Sequence, residues 1–358
     1  MLNRLSALLE WAVFIVLCSV LLTQSDPRVT DEYGRVRQYT RQIEFDYVRW
    51  MLGALGTKLE QGAAGLPGYI DREHGKQAVT EYLRVTQEIT DGEAALQRIY
   101  ADASVQDKDA ASASLRAQLA ESYSRQAELA PLAEAVLQGQ ITDVLSDQGL
   151  STLGQPLPSV LYHSSPVPNA LIVSRRDRVE QIANISVEPD LPIDQQEALE
   201  TRVDKGLDVS SLVVPIGGVG VYPTMVMRTT SLSWLVDTIA HEWTHNYLNL
   251  RPLGILYDKT PELRTMNETT AAITGGEIGK LVLERYYPEL VPPADGSAGN
   301  PWELVSFPAD HPDPGSLPRP PFDFRREMHT TRVTVDALLA AGRIDEAEAY
   351  MRERQQVF

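Results

Sequence analysis

Residues 231–250 read SLSWLVDTIAHEWTHNYLNL, and within them Val236, Ala240, Trp243, Tyr247 and Leu250 recur at helical spacing. A single apolar stripe of that period predicts an amphipathic helix, which Arg251-Pro252 brings to an end. The helix carries His241-Glu242-Trp243-Thr244-His245. Histidines four residues apart project from one face, so both imidazoles can reach a single zinc ion at the usual distance of about 2.0–2.1 Å. Glu242 is rotated one residue-step away from them. That is too far round for a natural third ligand, but within hydrogen-bonding reach of a water on the ion, so Glu242 is the candidate general base.

Working outward, a catalytic zinc needs a third protein ligand and one open position. A second helix is expected to begin at Thr260-Pro261, with Thr as N-cap and Pro at the first position, and to run to Tyr287 with a bend at Gly275-Gly276. It offers Glu268, in Asn267-Glu268-Thr269-Thr270-Ala271, as that ligand. Upstream, branched residues bounded by Pro and Gly predict short strands at 160–162, 171–173, 185–187 and 212–216. Residues 217–223, GGVGVYP, lead into a strand at 224–227 that suits a sheet edge. Further back, helical patterns at 77–100 and 111–145 flank a polar turn and predict an antiparallel hairpin, and 31–58 predict one amphipathic helix. The hairpin's apolar stripe suits packing against the rest of the chain or, alternatively, a protein partner. Residues 288–321 carry prolines throughout and predict a long irregular crossing, followed by helices at 324–341 and 344–355 joined at Gly342. The fold class expected is predominantly helical α+β.

H-E-x-x-H followed by Asn267-Glu268 on the next helix resembles the gluzincins, the zincin metallopeptidase clan that includes the thermolysin-like and aminopeptidase families. The resemblance covers residues 213–287. It implies a zincin-like domain with a mixed sheet whose edge strand binds extended peptide, here near 219–225, with Val219, Gly220 and Tyr222 as substrate-binding residues. It also implies an oxyanion-stabilising donor from beyond the Glu268 helix. His329 is the first candidate, then Arg332, Tyr286 and His311. Thermolysin-like members carry an Asp four residues after the ligand Glu, and this chain has Ala272 there. Asp237, one turn before His241, is available as a substitute orienter.

Composition sets the remaining bounds. The formal net charge of −17, with no Lys/Arg-rich run, repels phosphate backbones and excludes nucleic acid as a partner. The lone cysteine, Cys18, excludes an intramolecular disulfide and a cysteine-based zinc site. Cys18 lies in the uncharged stretch 11–23, WAVFIVLCSVLLT, which predicts a transmembrane anchor or signal segment over 1–24. The domains expected are that segment, a helical region with the hairpin over 25–150, and the metallopeptidase domain over 151–358. The function expected is zinc-dependent hydrolysis of a peptide or protein substrate by a membrane-anchored enzyme with its catalytic domain extracytoplasmic. The alternative is a surface scaffold with a vestigial or structural zinc, against which Glu242 argues, since a structural zinc needs no base beside it.

Overall fold

The computed structural model describes residues 31–63, 71–291 and 322–358, which are predominantly helical with small sheets. They form two compact units, each built from separated stretches of chain.

The first unit comprises the described residues 31–45, 169–214 and 322–358. Its sheet has the order β3-β2-β4, with β2 Asn169–Arg175, β3 Gln181–Val187 and β4 Val209–Pro215. β2 and β3 are antiparallel, with Leu171 opposite Ile185 and Val173 opposite Ala183. Alternation puts Ala183, Ile185 and Val187 on one buried face. Val36 of α1 (Glu32–Thr40) and Leu199 and Val203 of α5 (Ile193–Leu207) share that core. The sequence reading missed α5, because only Leu199 and Val203 of its fifteen residues are buried and the polar remainder carries little period. The helix expected over 31–58 is broken after α1. Glu44 instead bridges to Val187, and the Phe45 amide donates to Ser186 at 3.0 Å, so sheet hydrogen bonds replace helical ones. The C-terminal helices α9 (Phe324–Ala340) and α10 (Ile344–Arg354) belong to this unit. Arg176 reaches both Glu348 and Asp208 at 2.8 Å.

The second unit comprises the described residues 46–63, 71–168 and 215–291. It contains α2 (Tyr47–Ala63), α3 (Arg72–Ala101), α4 (Lys108–Asp147), α6 (Leu232–Leu248), α7 (Pro252–Ile255) and α8 (Pro261–Tyr286). α3 and α4 form the expected antiparallel hairpin, tied by Arg125 to Glu81 at 2.5 Å and Gln126 to Thr86 at 2.7 Å. One core joins Val79, Tyr82, Leu137 and Ile141 of the hairpin with Leu235, Ile239 and Trp243 of α6 and Ile278 and Val282 of α8. The hairpin stripe is therefore core, and the hairpin is not set apart from the helices that follow residue 151. A three-stranded sheet lies in the same unit with order β1-β6-β5, where β1 is Tyr162–Ser164, β5 is Gly218–Val219 and β6 is Thr224–Val226. β6 is parallel to β1 and antiparallel to β5. The edges are thus β1 and the glycine-bearing β5, while β6 is central.

Membrane anchorage requires correction. Among the described residues no helix is long and apolar enough to cross a membrane. The longer helices α3, α4 and α8 carry charged residues along their length, and α2 and α6, at 17 residues each, fall short of the roughly 20 apolar residues that a span needs. The stretch 1–24 that prompted the expectation lies outside the described residues, as do His311 and most of the crossing expected over 288–321.

Candidate metal centre

α6 starts where Ser231 Oγ accepts from the Trp234 amide at 3.3 Å, an N-cap that satisfies one orphan donor. Leu235, Val236, Ile239, Ala240 and Trp243 are buried, and the Trp243 indole donates to the Pro158 carbonyl at 2.8 Å. The helix ends at Leu248, and Leu250, expected in its stripe, is exposed. With the helix rotation set by that core, His241 and His245 emerge together, half-buried, with Nε2 atoms 3.2 Å apart.

α8 supplies the third donor. Thr260 caps it and Pro261 opens it, as the sequence predicts. It is one continuous helix through Gly275-Gly276, and Gly275 lets α6 approach closely. A Cβ added at Gly275 would lie 2.9 Å from the Asp237 carbonyl and 3.0 Å from the His241 Cβ. Two turns earlier on α8, Glu268 Oε2 lies 3.7 Å from His241 Nε2 and 3.5 Å from His245 Nε2. His241, His245 and Glu268 are the group among the described residues able to hold a metal ion.

The donor chemistry favours a cation. Buried Asn267 accepts from His245 Nδ1 at 2.7 Å while its own amide donates to the Leu253 carbonyl at 3.3 Å. In the neutral imidazole that hydrogen bond leaves Nε2 as a bare lone pair aimed at its neighbours. Two imidazole nitrogens and a carboxylate oxygen within 3.7 Å of one another are donors placed to share a proton or a metal ion. The size also fits, since a tetrahedral ion with bonds of about 2.0–2.1 Å separates its ligands by about 3.4 Å. The charges respond accordingly. Burial pushes the Glu268 carboxyl up, but the hydrogen bonds to His241, His245 and Tyr257 outweigh it and hold Glu268 well below the ordinary carboxylate range. For His245 burial opposes protonation, and contact with Glu268 reverses this and raises it.

Glu242 stands beside the triad without joining it. It is buried, which raises its carboxyl, while His241 and His245 pull the other way. A Cβ added at Gly218 of β5 would lie 2.9 Å from Glu242 Cγ and Oε1, and one added at Gly220 would lie 2.8 Å from the His245 Cβ. Glycine therefore lets the edge strand run directly over the base and one ligand. Of the expected substrate-binding residues, Val219 is in β5, Gly220 follows it, and Tyr222 is hydrogen-bonded to Ser159 at 2.6 Å.

No family model, curated protein or solved structure matches the chain. What the centre can do follows from its own donors and neighbours.

His329 and Arg332 are on α9 of the first unit, where His329 is exposed and Arg332 pairs with Asp336 at 2.7 Å. Tyr286 donates to Asp143 at 2.8 Å and sits at the far end of α8, about 27 Å along the helix from Glu268. Asp237 is half-buried beside Gly275, and its carboxylate makes no hydrogen bond among the described residues; burial raises its carboxyl against the pull of His241. The residue sequence reasoning missed is Tyr257, in the turn between α7 and α8. Its hydroxyl donates to Glu268 Oε1 at 2.5 Å, and its ring stands edge-on to His245 at 6.3 Å. A turn residue has no periodicity to betray it. Only its place between the two metal-bearing helices pointed there.

Proposed function

We propose that this chain is a zinc-dependent peptidase of the gluzincin kind, with His241, His245 and Glu268 as ligands and Glu242 as general base. The observation that carries the reading is a three-donor set of tetrahedral dimensions with a buried carboxylate left over beside it, Glu242. Zinc, when bound, supplies Lewis acidity, lowering the pKa of water to about 7 and polarising the scissile carbonyl. His241 and His245 present Nε2 and Glu268 presents Oε2. Asn267 holds the His245 ring, and the short α6–α8 separation at Gly275 keeps the two helices in register. Glu242 takes the proton of the attacking water on its carboxylate and delivers it to the leaving amine nitrogen. Its burial suits this, because a raised carboxyl is a better proton acceptor. β5, two residues long at the sheet edge and over Glu242, is where an extended peptide would add as a further strand.

The test is metal content by mass spectrometry on the full chain beside His245→Ala and Glu268→Gln. About one zinc per wild-type chain, sharply reduced in both variants, together with peptide cleavage abolished in Glu242→Gln at unchanged metal content, is the expected result. A well-folded wild type that takes up no added zinc rules the proposal out. One that binds zinc and cleaves no peptide leaves a structural metal on a scaffold.

A further inference from the structure

The two oxygens of Glu268 have different neighbours. Oε2 faces both Nε2 atoms, at 3.5 and 3.7 Å, while Oε1 accepts the Tyr257 hydroxyl at 2.5 Å. A carboxylate with no second partner can turn about its last bond and present both oxygens to a cation, as bidentate Asp and Glu do elsewhere. Two histidines and a bidentate carboxylate would then supply four donors. The place that water and a substrate carbonyl need would be crowded.

We propose that Tyr257 is a positioning residue that holds Glu268 to one-oxygen ligation and so preserves the open place at the metal; the proposal rests on the metal-site reading above. Tyr257 is itself well fixed. Its amide donates to the Gly254 carbonyl at 3.1 Å, its ring is edge-on to His245, and the Arg264 guanidinium lies 5.6 Å from the ring centroid. Arg264 is anchored in turn by Asp258 at 3.1 Å. The hydroxyl is neutral, so it occupies Oε1 without cancelling the charge that Oε2 offers. It meets one ligand through its oxygen and stands edge-on to another through its ring.

The test uses the full chain loaded with cobalt(II), whose visible absorption is several-fold stronger in four-coordinate tetrahedral sites than in five- or six-coordinate ones. The wild type is expected to show the strong band. Tyr257→Phe keeps the ring against His245 and is expected to lose about half or more of that intensity at unchanged cobalt stoichiometry, as a second oxygen enters. An identical spectrum in the variant overturns the proposal. X-ray absorption on the zinc-loaded wild type gives a second measurement that does not depend on the variant folding. A first shell containing one Glu268 oxygen supports the proposal, and both oxygens at bonding distance overturn it. A wild type that takes up neither metal fails at the earlier step, and the metal reading falls with this one.

Discussion

Gly275→Ala tests whether the close approach of α6 and α8 assembles the centre. The added Cβ would meet Asp237 Oδ1 at 2.4 Å, the Asp237 carbonyl at 2.9 Å and the His241 Cβ at 3.0 Å. The Asp237 carboxylate can rotate away, but the carbonyl and the His241 Cβ belong to the helix itself. Comfortable carbon contacts are about 3.5–4.0 Å, so α8 must retreat by about 0.5 Å or more. Glu268 lies on the same face two turns earlier, about 10 Å along the axis, and moves with the helix. Its oxygen is already 3.5 and 3.7 Å from the two nitrogens, and a further half ångström takes both separations beyond what one small ion spans. We expect zinc affinity to fall by about 10- to 100-fold, the range found when the partners that orient ligands are lost. We also expect unfolding stability to fall by about 1–3 kcal/mol, as for overpacking elsewhere. The control is the next residue. A Cβ at Gly276 meets nothing within 4 Å, so Gly276→Ala should leave affinity unchanged and stabilise by about 0.5–1 kcal/mol through helix propensity. Competition titration with a chromophoric chelator and urea unfolding measure the two quantities. If the two alanine variants behave alike in both assays, the packing argument is wrong.

Gly218→Ala should displace Glu242 while sparing the ligands, since the new Cβ would lie 2.9 Å from Glu242 Cγ and Oε1. Metal content should hold while peptide hydrolysis drops by about 100-fold or more, and unchanged turnover would remove Glu242 from its assigned role. A second site decides stability. Glu134 is fully buried, accepts from Lys58 at 2.5 Å and from the Ser164 amide at 2.8 Å, and lies 3.0 Å from His163. Glu134→Ala removes the carboxylate that pairs with the buried Lys58 ammonium and should cost about 3–5 kcal/mol in urea unfolding, with much of the loss recovered by adding Lys58→Met. Burial pushes the Glu134 carboxyl up, but His163 and Lys58 outweigh it and hold it below the ordinary 4.5. Because the folded value is the lower one, this contribution is whole above pH 4.5 and is lost as pH falls through the folded value. The wild type should therefore lose more urea resistance below pH 4.5 than Glu134→Gln does, and parallel acid profiles would contradict the assignment.

Much of the second unit was legible along the chain because its helices are long and strongly periodic. The hairpin, the helix that follows Ser231 and the cap at Thr260 stand where local signals placed them. α5 was not legible, since Leu199 and Val203 are a thin stripe on a polar helix. The break between α1 and α2 was hidden as well, because what stops the helix is a hydrogen bond from Phe45 to Ser186, more than a hundred residues on. The glycines were visible but their purpose was not. Gly275 reads as a bend in one helix and proves to be the room another helix occupies.

At the centre the division has the same origin. The pairing of His241 with His245 and the step that sets Glu242 apart are properties of one helix, and the 3.6-residue turn suffices to define them. Asn267 and Glu268 were in view as neighbours, yet their distinct tasks, one on His245 Nδ1 and the other toward the Nε2 atoms, depend on how α8 lies against α6. Tyr257 and the β5 glycines enter through a turn and a two-residue strand, where no period exists to read. Local sequence determined which side chains share a helix face, because that follows from backbone geometry alone. Only the tertiary structure decided which atoms meet across helices, because close packing of separate elements sets those distances to within a fraction of an ångström.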